Sequence, residues 1–123
     1  MMMQQILSQL YTLPLASFRG KKKDLFNNYF TQAEIDHLKE RALQTVLGFV
    51  ALKKALIQLI QSAYPGVSLH EKDIRLGHSP EGAPLVVEIK GLWDRTKLPP
   101  VHLSISHTRD HVYGLAVMEG SES

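Results

Sequence analysis

With no cysteine in the chain, the side chains that stand out as able to do chemistry are histidines and lysines. His107 and His111 stand four apart, a spacing that on a helix would put both rings on one face and suit a metal ion. They fall instead at the end of one expected strand and the start of the next, where that spacing creates no shared face. No H-E-x-x-H pattern accompanies them, so no metal ligand is assigned, and His102 adds none. Ser104-Ile105-Ser106-His107 reads differently. A histidine just past a strand end can be held rigidly while facing a cleft, as a general base or a phosphate-binding group must be. Lys53 and Lys54 are adjacent in a helical stretch, about 100° apart, so both can point away from a core. Arg19 with Lys21, Lys22 and Lys23 forms a basic loop able to attract a phosphate or an acidic protein surface. It lacks interleaved aromatics and any recognisable nucleic-acid motif, so nucleic acid is not an expected partner.

The elements that must position these groups follow from hydrophobic spacing. Thr31 with Glu34 makes a capping box, flanked by Phe30 and Ile35, so a helix starts at Thr31. Apolar residues recur at helical spacing from Ile35 to Ile60, giving one long helix or two in series with Gly48 as the candidate break. Tyr64-Pro65-Gly66 ends that region. Strands are expected at 73–77, 84–89, 101–106 and 111–118, with turns at Ser79–Gly82 and Leu98–Pro100. The last strand is the most continuously apolar and should lie inside the sheet. A further strand over Gln5–Ser17 is ambiguous, Gly20–Lys23 reads as a loop and Gly120–Ser123 as a frayed tail. This order predicts an α+β fold, a long helix or helix pair packed on a small antiparallel sheet, as one domain over residues 1–123.

Composition narrows the classes further. At 123 residues the chain is too short for two self-sufficient cores, and 44% hydrophobic with 21% charged residues is a globular balance. Without cysteine there is no disulfide scaffold, Cys-ligated zinc, iron–sulfur cluster or cysteine nucleophile, which suits a reducing cytoplasm. No apolar run in the sequence approaches the roughly 20 residues that span a bilayer, so no membrane association is expected. The N-terminal residues lack the pattern of a signal peptide. The net charge of +2 is compatible with an acidic partner.

Taken together and in order, these features resemble the holo-acyl-carrier-protein synthases, the small trimeric class of 4′-phosphopantetheinyl transferases. The shared motifs are Phe30-Thr31-Gln32-Ala33-Glu34, Lys53-Lys54-Ala55, Gly82-Ala83-Pro84 and Ser104-Ile105-Ser106-His107, over roughly residues 30–119. The resemblance implies a 4′-phosphopantetheinyl transferase-like fold and transfer of 4′-phosphopantetheine from coenzyme A to a serine of an acyl carrier protein. It implies His107, Lys53 and Lys54 as catalytic residues. Lys53, Gly82, Pro84, Ser104, Ser106 and His107 would bind the substrate, and Arg19, Lys21, Lys22 and Lys23 the carrier protein. A cyclic homotrimer is implied as well. The family also uses magnesium, but Lys54 stands where its metal-binding glutamate would, and Met1–Lys23 holds no counterpart of its N-terminal aspartate. Glu71 and Asp73 are the acidic residues that could fold in as replacements. The alternative reading is a catalytically silent coenzyme A- or carrier-protein-binding protein of the same fold.

Overall fold

A computed structural model describes residues 4–92 and 99–121. Leu98 of the expected turn at Leu98–Pro100 lies outside the described residues, as does the end of the tail beyond Ser121. The chain runs β1 (Gln4–Pro14), α1 (Lys22–Tyr29), α2 (Gln32–Leu38), α3 (Leu43–Ala63), β2 (Ile74–His78), β3 (Pro84–Ile89), β4 (Val101–His107) and β5 (His111–Ser121). Short 3₁₀ turns at Ala16–Phe18 and Glu71–Asp73 precede α1 and β2. The strands form two antiparallel units: a three-stranded sheet in the order β1-β5-β4, and a β2-β3 ribbon. The α+β expectation holds, and β5 is the inner strand of its sheet.

The ambiguous front segment is a strand because it completes β5 on the side away from β4, with Tyr11 opposite Gly114 and Leu13 opposite Val112. The expected tail is in part strand too, since β1 pairs as far as Ser121. The expected loop at Gly20–Lys23 runs into α1, whose Leu25 and Phe26 are buried. The helix beginning at Thr31 is α2, with its capping box formed as expected. It ends after one short run, and the break falls at Lys39–Ala42 rather than at Gly48. There the Lys22 ammonium donates to the carbonyls of Lys39 and Arg41, satisfying the open end of α2. Gly48 instead lies inside α3 against β4, where a Cβ would stand 2.6 Å from Ile105 Cγ2.

Helix α3 is the core of the molecule. It packs against β1, β4, β5 and α1, and most of its residues from Val46 to Ile60 are buried all the way round. It lies hard against the sheet at Gly114, where a Cβ would sit 2.6 Å from Leu52 N and 2.7 Å from Ala51 C. The expectation that no segment is long and apolar enough to span a bilayer is corrected here. Leu43–Ala63 passes by length and composition, with a mean hydropathy of 1.5 over its most apolar window. That window is 67% buried within this fold, the pattern of a core helix.

Candidate functional site

Strand β4 alternates between two sheet faces, and this decides which of its residues can meet a ligand. Val101, Leu103 and Ile105 are half-buried on the α3 side, while His102, Ser104 and Ser106 are exposed on the other. His107 is the last residue of β4, opposite the buried Val112 of β5. The turn that follows is tied down by Thr108, whose N–H donates to His111 O at 2.9 Å and whose Oγ1 accepts from the N–H groups of Asp110 and His111. A second turn links β2 to β3. Ser79 N donates to Ala83 O at 2.8 Å, and Ser79 Oγ accepts from Ala83 N at 3.1 Å, fixing Gly82 and Pro84.

These two turns meet over the start of α3. Gln44, Thr45, His78, Gly82, Pro84, Ile105 and His107 line one cleft of about 230 Å³. Three of the residues singled out from the sequence, Gly82, Pro84 and His107, are therefore brought together although they come from distant segments. Ser104 and Ser106 do not join them: the alternation of β4 places both on the opposite, exposed face of the sheet. Gln44, Thr45 and His78 are cleft residues that the sequence reading missed. No motif marks them, because only the folding of β2 and α3 around β4 makes them neighbours.

Lys53 also departs from expectation. Its ammonium is fully buried, 2.7 Å from Glu34 Oε1, and donates to Tyr29 O at 2.9 Å and Glu71 O at 3.0 Å. Burial pulls its pKa below the ordinary lysine value, and the Glu34 carboxylate opposes that shift. Glu34 is equally buried, and besides Lys53 it accepts from Thr31 N at 2.9 Å and, through Oε2, from Leu76 N at 2.9 Å. One buried ion pair thus fastens α1, the cap of α2, α3, the Glu71 turn and β2 to one another. A lysine with all its hydrogen bonds inside the fold cannot also reach a phosphate, so Lys53 is a structural residue here.

Lys54 points elsewhere, half-exposed beside Glu71 Oε1 at 3.6 Å. Its Nζ lies 4.6 Å from the ring centre of Tyr29 and 5.9 Å from that of Tyr11. Glu71 thus stands beside Lys54, while the Asp73 carboxylate accepts from His70 N at 2.9 Å. These residues do not fit magnesium. That ion takes an octahedron of hard oxygens, commonly including one or two carboxylates, and here the lone carboxylate already faces an ammonium. Among the described residues no group of three or more histidine, aspartate or glutamate side chains could hold a metal. Of the basic residues near the N-terminus, Arg19, Lys21 and Lys23 are exposed, whereas Lys22 is half-buried and committed to the end of α2.

No protein-family model matches the chain. Individual proteins do. A holo-[acyl-carrier-protein] synthase of Thermoanaerobacter is 32% identical over 98 residues, spanning 76% of this chain and 70% of the relative. One from Helicobacter pylori is 30% identical over 102 residues, spanning 83% and 82%. Among solved structures, the Helicobacter pylori holo-[acyl-carrier-protein] synthase in complex with coenzyme A superposes with a TM-score of 0.70 at 25% identity, over 93% of this chain and all of that one. The holo-[acyl-carrier-protein] synthase from Neisseria meningitidis gives 0.72 at 17% identity, over 95% and 98%, a likeness of fold. With this sequence identity, coverage and architecture, the chain belongs to the holo-[acyl-carrier-protein] synthase family.

Proposed function

We propose that the protein transfers 4′-phosphopantetheine from coenzyme A to a serine of an acyl carrier protein. The observation that carries this reading is the convergence of Gly82, Pro84 and His107 on one cleft, in a chain of this family. In the reaction the serine oxygen forms a new bond to phosphorus as a bond within the pyrophosphate breaks, releasing adenosine 3′,5′-bisphosphate. The serine proton must pass to a base, and His107, held at a strand end and exposed to the cleft, is positioned to take it directly or through water. Arg19, Lys21 and Lys23 offer the basic surface that would steer an acidic carrier protein.

The free protein, on this reading, provides no magnesium site of its own, and any ion arrives with the pyrophosphate. Lys54 brings a single positive charge to the position the family gives to the metal. On one chain Lys54 is roughly nine helical residues, about 14 Å of rise, beyond Thr45 in the cleft wall. A cyclic homotrimer with sites between neighbours would let one subunit's Lys54 approach the partner's cleft. The uncovered outer face of the three-stranded sheet supports such an assembly, with Ile6 70% and Leu10 53% exposed. Sedimentation equilibrium should give a trimer at micromolar concentration; a stable monomer contradicts this. Coenzyme A and carrier proteins also make a cytoplasmic location part of the reading.

The Lys54–Glu71 pair favours a second reading, a coenzyme A- or carrier-protein-binding protein without turnover. The test of the first is to compare His107→Ala with His102→Ala and His111→Ala in a transfer assay. His107→Ala should lower transfer by about 10²-fold or more, the range of a lost general base, and the other two should not. Equal, negligible effects would remove His107 from the mechanism.

A further inference from the structure

His78 enters the cleft wall in an unusual setting. Its Nδ1 lies 2.7 Å from His37 Nε2, a hydrogen bond between an imidazole of β2 and one near the end of α2. Its ring lies over the buried Phe49 of α3, centroids 4.9 Å apart and planes at 35°. At that distance the two facing nitrogens share a single hydrogen. The intact pair can therefore be neutral or carry one charge, but a second proton must break it. With Nδ1 engaged, the one nitrogen His78 has left for the cleft is Nε2.

The geometry points to His37 and His78 as one proton-sharing unit that sets the charge of the cleft wall and takes up a proton when an anionic phosphate group binds there. The inference rests on the reading of this cleft as the coenzyme A site. Arg41, from the turn after α2, bears electrostatically on His78, and His107 of β4 lines the same cleft. Helix α3 contributes Phe49 against the His78 ring and Gln44 and Thr45 to the same cleft wall, which the β2–β3 turn completes with Gly82 and Pro84. Burial first, then His37 and Arg41, hold His78 below the ordinary histidine pKa, which favours its neutral form while the cleft is empty. A phosphate oxygen accepting from Nε2–H reverses that balance and draws in one proton. Binding then weakens as pH rises, about tenfold per pH unit in the window where the bound pair is charged and the free pair neutral.

The test uses the full chain labelled with ¹⁵N-histidine. Long-range ¹H–¹⁵N spectra follow His37, His78 and His107 through a pH titration alone, with coenzyme A, and with inorganic pyrophosphate. Calorimetry in buffers of different ionisation enthalpy counts protons taken up. The expected result is that His37 and His78 titrate as a coupled pair and that both ligands raise their midpoint. About one proton should enter with coenzyme A, and His78→Asn should bind it without that uptake. Coenzyme A binding that leaves both imidazoles unshifted overturns the inference and leaves the cleft reading standing. Pyrophosphate shifting the pair while coenzyme A does not bind supports the proton-sharing unit and removes the coenzyme A reading. If neither ligand moves the pair, the inference is overturned. The spectra of the unmodified protein decide these outcomes even if His78→Asn folds poorly.

Discussion

Lys53→Met separates the structural role of the buried lysine from a phosphate-binding one. The substitution keeps a linear side chain in the helix but removes an ammonium that satisfies Glu34 Oε1 and the carbonyls of Tyr29 and Glu71. It leaves a fully buried carboxylate with backbone donors at Thr31 and Leu76 and no counter-charge. Removing one partner of a buried pair costs about 3–5 kcal/mol. For a chain of this length that corresponds to a fall in Tm of about 10–20 °C. Urea unfolding should show the loss as a lower midpoint with an unchanged slope. Lys53→Met combined with Glu34→Gln should cost less than the sum of the single changes, by about 1–3 kcal/mol, because the orphaned charge is gone. Coenzyme A affinity of folded Lys53→Met should stay within about threefold of wild type, since residues sharing no partner with a ligand act nearly independently of it. A loss of under about 1 kcal/mol accompanied by lost coenzyme A binding would refute the reasoning and return Lys53 to the phosphate site.

Gly114→Ala should destabilise by the upper end of about 1–3 kcal/mol, because its Cβ meets the backbone of α3 at Leu52 and Ala51 and no side chain can yield; urea unfolding reads it. Calorimetry should detect no magnesium binding by the free protein, while Lys54→Glu, which sets a second carboxylate beside Glu71, should bind the ion and gain thermal stability in its presence. Stability should also fall on acidification. His78 has a depressed folded pKa, so its neutral form supports the fold above the ordinary histidine value of about 6.5, and that support is lost as pH drops towards the folded value. Unfolding midpoints measured across this range should flatten in His78→Asn.

Local signals carried the parts of the fold that depend on neighbours in sequence. The Thr31–Glu34 capping box, the stop at Tyr64-Pro65-Gly66 and the alternation in β4 were all readable because each is a contact or a period within a few residues. The gap between α2 and α3 was not, since neither proline nor glycine marks it and a lysine from α1 closes it. Two adjacent lysines read as a solvated helix face, yet one of them is buried. The clue was Glu34, whose capping role was legible while its second role, as partner to Lys53, required the tertiary fold. Gly82, Pro84 and His107, each marked by a short motif, line one cleft, but His78 and its partner His37 carried no such mark, because they meet across 41 positions of sequence.

Whole-protein mass spectrometry of an apo acyl carrier protein reads the proposed transfer of phosphopantetheine without an intermediary. Incubated with this protein, coenzyme A and magnesium, the carrier should gain the mass of one phosphopantetheine group on its serine, with adenosine 3′,5′-bisphosphate released in equal amount. His107→Ala should slow that gain. A carrier whose mass is unchanged, although coenzyme A binds to the cleft, would contradict the account and leave a binding protein in the place of an enzyme.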